Sequence, residues 1–271
     1  MNSHAIFGLN PMWLSGIILV IVYIILILEK LNRAVIALFG AMLMIYCGLL
    51  SQAQALEKVD FNTLWLLTGM MMLVNITAKT GVFQYVAIRS AKWVKADPVG
   101  IMLMLAGITA LFSALLDNVT TVLLITPVTL LITEQLNVRA FPYLFATILA
   151  SNIGGTATLI GDPPNIIIGS KNGLSFAEFI YHLTPISVII LLAVCGVLWL
   201  IHRRNLKTTQ AARDAIMRFD EKEAITDVVL LKKCGLVFGL VLLGFFIGHP
   251  LHIEPGTVAL SGAALLMMLA Y

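Results

Sequence analysis

Residues 151–165 read Ser151-Asn152-Ile153-Gly154-Gly155-Thr156-Ala157-Thr158-Leu159-Ile160-Gly161-Asp162-Pro163-Pro164-Asn165, a polar and glycine-rich stretch between apolar flanks. Its first eight residues hold three hydroxyls, an amide and a glycine pair, and glycine lets backbone approach a neighbour or ligand closely. Pro163 and Pro164 then remove two amide donors and disfavour helix at Asp162. A Gly-Asp-Pro-Pro-Asn turn in an otherwise apolar run is hard to explain as packing. Irregular backbone at membrane depth is tolerated only where protein buries it or it lines a watery cavity. The stretch therefore predicts a membrane helix, over about 140–170, that is broken partway.

The surrounding composition supports a bilayer. Of 271 residues, 60% are hydrophobic and 11% charged, with a mean hydropathy of +0.99, whereas soluble domains run near half apolar and a quarter charged. The net charge of +3 is small and scattered, which argues against a nucleic-acid partner. Cys47, Cys195 and Cys234 match no metal spacing or disulfide framework, and His4, His182, His202, His249 and His252 show no ligand spacing. A spanning helix needs about 20 mainly apolar residues, and suitable runs lie near 12–28, 34–50, 61–78, 180–201, 235–249 and 256–271.

A second interruption lies upstream. Residues 99–133 form two apolar arms around Leu116-Asp117-Asn118-Val119-Thr120-Thr121. An ionisable residue inside a membrane segment is costly and points to function; Asp117 also suits the N-cap of the second arm. Asn118, Thr120 and Thr121 add neutral oxygens suited to a hard cation such as sodium. Thr126, Thr129 and Thr133 read as hydroxyls bonded back to carbonyls one turn earlier.

Loop charge decides the path of these arms, because Lys and Arg favour the cytoplasmic side. With the N-terminus outside and 99–133 entering and leaving on one side, 15 of the 17 basic residues fall inside, leaving Lys58 and Lys171 outside. A single crossing would move the basic segment 203–233 to the other face and collapse the bias. A re-entrant hairpin is therefore expected, preceded by an amphipathic interfacial helix at 82–95 and followed, after the broken helix, by a cytoplasmic linker at 203–233.

Both motifs resemble the ion transporter superfamily. Asp117-Asn118-Val119-Thr120-Thr121, with Thr126-Pro127-Val128-Thr129 after it, is similar to the P protein, arsenite permease and NhaD-type group, and the stretch 151–165 resembles the same group. The resemblance covers roughly residues 12–271. It implies an all-α integral membrane protein, an inverted-repeat elevator transporter in which each repeat carries a re-entrant hairpin and a broken transmembrane helix. Residues 1–202 are then the first repeat, 203–233 the linker and 234–271 the start of a second repeat. No second copy of either motif is present, so half of the expected site is carried here. The implied substrate and ion positions are Asp117, Asn118, Thr120, Thr121, Ser151, Asn152, Gly154, Gly155, Thr156, Thr158, Asp162 and Asn165. A sodium ion is implied at Asn118, Thr120, Ser151 and Gly155.

These readings predict a secondary active permease of the cell membrane, without enzymatic cofactor, that moves a small anion such as arsenite or a carboxylate. Sodium or protons would couple the movement, and a homodimer is expected. Dicarboxylate symporters have Ser-Asn-Thr at the hairpin tip, and the acidic Asp117 in its place weakens the case for a dicarboxylate and favours cation coupling. Sodium/proton antiport is the alternative, since Asp117 and Asp162 can alternate between protonated and ion-bound states. An intramembrane aspartyl protease built on the same pair is remote, because Leu159 stands where that motif has its first glycine. A non-transporting truncated membrane protein is the remaining reading.

Overall fold

The computed structural model describes residues 10–248 and 250–270. The expectations for the N-terminus, His4 and His249 lie outside the described residues. Thirteen α-helices and one 3-10 turn, with no strand among the described residues, divide between two compact units at Asp60 and Phe61.

The first unit holds α1 (Pro11–Ile27), α2 (Arg33–Tyr46) and the short α3 (Gln52–Glu57), with α1 and α2 packed together. Asn10 and Asn32 cap the two long helices through their side chains. Helix α2 ends at Tyr46, short of the expected residue 50, because Gly48 turns the chain at φ 70°.

The second unit runs through α4 (Phe61–Ala78), α5 (Val82–Trp93), α6 (Pro98–Leu115), α7 (Asn118–Gln135), α8 (Phe141–Thr156), α9 (Pro163–Asn172), α10 (Phe176–His202), α11 (Gln210–Met217), the 3-10 turn Glu221–Ala224, α12 (Val228–Gly248) and α13 (Pro255–Ala270). Among the described residues α4, α6, α10 and α12 are long and apolar enough to cross a membrane; α1, α2 and α13 are shorter and equally apolar. Trp13, Trp65, Trp93 and Trp199 are exposed and stand near helix ends, where amphipathic rings meet headgroups.

Two cores organise this unit. One joins α5, α6, α7 and α8 with the end of α10, through residues such as Met102, Leu105, Ile132, Tyr143 and Leu198. The other gathers α4, α9, the start of α10, α12 and α13 around Leu66, Leu73, Ile166, Phe176 and Ala263. The opening of the expected second repeat thus packs on α4 of the first.

Helices α6 and α8 run in the same direction. Tyr143 near the start of α8 donates its hydroxyl to the Pro98 carbonyl at 3.0 Å, and Ser113 near the end of α6 donates to the Ser151 carbonyl at 2.6 Å. Small residues, Ala106, Ala110, Ala146, Ala150 and Gly154, are buried between them, which brings the two backbones close. Helix α7 returns antiparallel after a turn at Leu116 and Asp117.

The linker ties both ends of this α6–α7 pair together. Arg213 pairs with Asp97, the N-cap of α6, at 3.1 Å, and the Thr208 hydroxyl donates to the Leu136 carbonyl at the end of α7. Glu221 accepts from Arg89 at 2.6 Å and from Lys92, both on α5. Thr226 bonds the Lys79 and Thr80 carbonyls after α4. The buried residues of α5 are Phe83, Ala87, Ile88, Ser90 and Ala91, and the linker's Glu221 covers part of its basic side. The linker itself is shorter than 203–233: α12 begins at Val228 and carries Lys232 and Lys233 as its first turns.

Glu221 carries a testable consequence. Bonds from Lys92 and from Arg89 pull its carboxyl from 4.5 down to about 2. A lowered folded value contributes stability above the unfolded value, so the contact is complete above pH 4.5 and is lost as pH falls toward about 2. Pepsin cleavage within residues 203–227 should rise across that window. In Glu221→Gln the same segment should be cut readily at pH 4.5 with little further change; identical profiles for the two proteins would refute the clasp.

Candidate functional site

The hairpin tip and the helix break meet. Asp117 is the N-cap of α7: one carboxylate oxygen accepts the Thr120 amide at 2.7 Å, and its own carbonyl accepts the Thr121 hydroxyl at 2.8 Å. That capping satisfies a helix end whose amides otherwise have no partner. Helix α8 stays wound through Thr156, so Ser151–Thr156 are helical and the chain is irregular only over 157–162 before α9 begins at Pro163. The break is therefore shorter than the stretch read from sequence, because the glycine pair is accommodated inside the last turn of α8.

Bonds lace the segments together. The Asn118 amide donates to the Gly161 carbonyl at 3.2 Å, and the Ser151 hydroxyl donates to the Asn118 carbonyl at 2.7 Å. Asn118 Nδ2 reaches Asn152 Oδ1 at 3.3 Å. The Thr158 hydroxyl donates to the Ala114 carbonyl, and Asn165 Nδ2 donates to the carbonyls of Gly155 and Thr158, each at 3.0 Å. Thr156 bonds back to Asn152 within α8. Asp162 caps nothing with its side chain; it follows Gly161, whose carbonyl accepts the Asn118 amide.

Burial sorts these residues into two groups. Ser151, Thr121, Thr158, Gly154, Gly155 and Gly161 are buried. Asp117, Asn118, Thr120, Asp162 and Asn165 are partly open, and Asn152 and Thr156 are exposed. The space beside the glycines is taken by protein: a Cβ at Gly154 would sit 2.1 Å from the Ala110 carbonyl oxygen, and one at Gly161 would sit 2.6 Å from the Ser113 carbonyl oxygen. The buried hydroxyls and glycines thus hold the site's shape, while Asp117, Asn118, Asn152 and Asp162 face open space.

Two members are absent from the sequence-based set. Ser113, on α6, donates to the Ser151 carbonyl, and Thr184, on α10, donates to the Ala157 carbonyl at 2.8 Å. Each is a small hydroxyl in an apolar helix, and Thr184 precedes Pro185, a proline inside α10; that proline was the available signal. Thr129 and Thr133 bond back to Ile125 and Leu130 within α7 and take no part.

Helix α10 gauges the depth of the site. Its 27 residues span about 40 Å at about 1.5 Å per residue. Thr184, level with the break, lies about 12 Å from the Phe176 end and about 27 Å from the His202 end by the same rise.

Replacing Ser151 with alanine should leave the buried side of this lattice short of a donor and cost about 1–3 kcal/mol. Chemical denaturation in detergent measures it; unchanged stability would show that the Ser151–Asn118 bond does not hold the tip.

The sequence profile of a family described as citrate transporter matches residues 23–271. An uncharacterized transporter of Mycobacterium tuberculosis is 44% identical over 259 residues, which cover 93% of this chain and 60% of that protein. A 46 kDa membrane protein of Mycobacterium leprae is 42% identical over 258 residues, with the same coverages. The human P protein is 31% identical over 326 residues, covering 92% of this chain and 39% of that protein. The chain spans about 60% of the length of the bacterial relatives it matches.

Proposed function

The chain belongs to the citrate transporter family and is an integral membrane protein of a transporter lineage, and from that premise we propose that it works in secondary active transport of a small anion such as a carboxylate or arsenite. The coupling sodium ion or proton is taken at Asp117 and Asp162. One observation carries this reading: the Asn118 amide bonds the Gly161 carbonyl where the hairpin tip meets the helix break, and the partly open Asp117 and Asp162 adjoin the two ends of that bond in sequence.

The depth of that meeting point supports a re-entrant hairpin. If a hydrocarbon core of about 30 Å lies along the α10 span of about 40 Å, the tip falls inside the apolar layer and both hairpin ends lie at the linker end. The basic linker gives that end a cytoplasmic preference. An elevator motion, an inverted repeat and a homodimer complete the reading. For sodium, the Gly155 carbonyl accepts one bond, from Asn165 Nδ2, and keeps a second lone pair for a cation.

Reconstitution of the complete protein that carries this chain tests the proposal. Proteoliposomes with an imposed sodium or proton gradient should accumulate one of citrate, other carboxylates or arsenite. Uptake indifferent to both gradients would overturn it.

Sodium/proton antiport is favoured by a different observation. The tip–break contact has carboxylates and no basic side chain, Thr120's amide is already bonded to Asp117, and Pro163 and Pro164 deprive α9 of N-terminal donors. An anion would find few partners there, whereas a cation finds several. Sodium-driven proton efflux from vesicles free of any candidate anion would decide for this reading.

A further inference from the structure

Five exposed cations gather at one end of the second unit. Lys95 follows α5, Arg139 lies between α7 and α8, and Arg203, Arg204 and Lys207 follow α10. Bonds already described hold these segments together: Thr208 to the Leu136 carbonyl, Arg213 to Asp97 and Tyr143 to the Pro98 carbonyl. None of the five forms an ion pair among the described residues. The mixed charge of the linker is sorted in space. Glu221 is held by Arg89 and Lys92, Asp97 by Arg213, and Asp214 accepts from Gln210. Glu134, exposed near the end of α7, offsets one charge. Helix dipoles change little, because α5, α7 and α10 bring their C-termini to this end while α6 and α8 bring their N-termini. Positive charge stays in excess.

An apolar surface adjoins these cations. Val197, Leu200 and Ile201, in the last turns of α10, are each more than half exposed. Between them the exposed Trp199 ring carries the Arg203 guanidinium 4.7 Å from its centroid, which steadies a long side chain that would otherwise roam. Apolar side chains, an aromatic ring and then guanidinium groups follow the layers of a phospholipid: chains, glycerol region and phosphate. We propose that this end of α10 binds an anionic phospholipid. Its phosphate takes the Arg203 and Arg204 guanidinium groups, and its chains lie along Val197, Leu200 and Ile201. Lys95, Arg139 and Lys207 supply the field that selects a net negative headgroup over a zwitterionic one. Orientation by basic loops needs net charge alone; a retained lipid is a separate property. Because the same segments bond both ends of the hairpin, occupancy stabilises the linker on α6 and α7.

The probes are phosphatidylglycerol, phosphatidylcholine with the same chains, and soluble glycerol 3-phosphate. Each is added to the delipidated, detergent-solubilised protein and followed by native mass spectrometry and thermal melting, neither of which depends on transport. Phosphatidylglycerol alone should be retained saturably and raise Tm. The double variant Arg203→Gln, Arg204→Gln should weaken that binding by about tenfold. Arg218→Gln with Lys222→Gln removes the same charge from exposed linker positions and should leave binding in place. Trp199→Leu keeps every charge and should weaken binding severalfold; it decides the matter if the double arginine variant does not fold. Equal retention of phosphatidylcholine, equal stabilisation by glycerol 3-phosphate, the same loss in both double variants, or undiminished binding in the arginine and tryptophan variants would overturn the assignment.

Discussion

An Asp117→Asn protein is expected to fold and insert normally and to lose coupled transport by about 100-fold, the equivalent of about 3 kcal/mol. Asparagine is as good an N-cap as aspartate, so the bond to the Thr120 amide at 2.7 Å survives the change. What disappears is the negative charge at the hairpin tip and its ability to titrate. The variant therefore separates two roles that the wild-type residue combines, helix capping and cation binding. Flux driven by sodium or protons, together with a denaturation midpoint, reads both. Wild-type flux in Asp117→Asn would assign the carboxylate to capping alone; a collapsed midpoint would show that its charge holds the tip in place. Asp162→Asn provides a second arm, because that side chain caps nothing, and its loss should alter transport with little effect on stability.

Gly154→Ala should have the largest structural effect of any single methyl group in this region. The added Cβ would lie 2.1 Å from the Ala110 oxygen and 2.6 Å from its Cα, both backbone atoms that no rotamer change can move aside. Relief requires α6 and α8 to separate along an interface built from buried alanines, at a cost of at least about 3 kcal/mol, the upper end for overpacking. Separation would also break the Ser113–Ser151 and Thr158–Ala114 bonds, so the site should be lost with the packing. Gly107→Ala is the control: it lies on α6, the helix that Gly154 packs against, with nothing within 4 Å of its Cβ position. It should change stability by about 1 kcal/mol or less and in the favourable direction, since alanine is the better helix former. Equal melting of the two variants would show that the close approach at Gly154 is not required.

Much of this architecture was legible because local chemistry dictates it. Proline lacks an amide hydrogen and fixes φ, so Pro163-Pro164 had to end the irregular stretch and open α9. Asp97, Asp117 and Ser175 announce helix starts by the side chains they offer to free amides. The uneven distribution of basic residues is a global constraint readable from a linear string, because charge must stay in water. The linker bonds Asp97 and the Leu136 carbonyl, so the start of α6 and the end of α7 lie together.

Other features depend on which residues meet across distance in the chain. The sequence alone determined that this is a helical membrane protein with an acidic interruption and a broken helix, since apolar length, breakers and charge act residue by residue. Only the tertiary structure decided that the two interruptions touch, that Ser113 and Thr184 join them, and that Gly154 admits the backbone of α6. The physical reason is that a hydroxyl, a glycine or an amide bonds or packs equally well with many partners. The register between helices selects one, and that register is set by the summed packing of the whole unit.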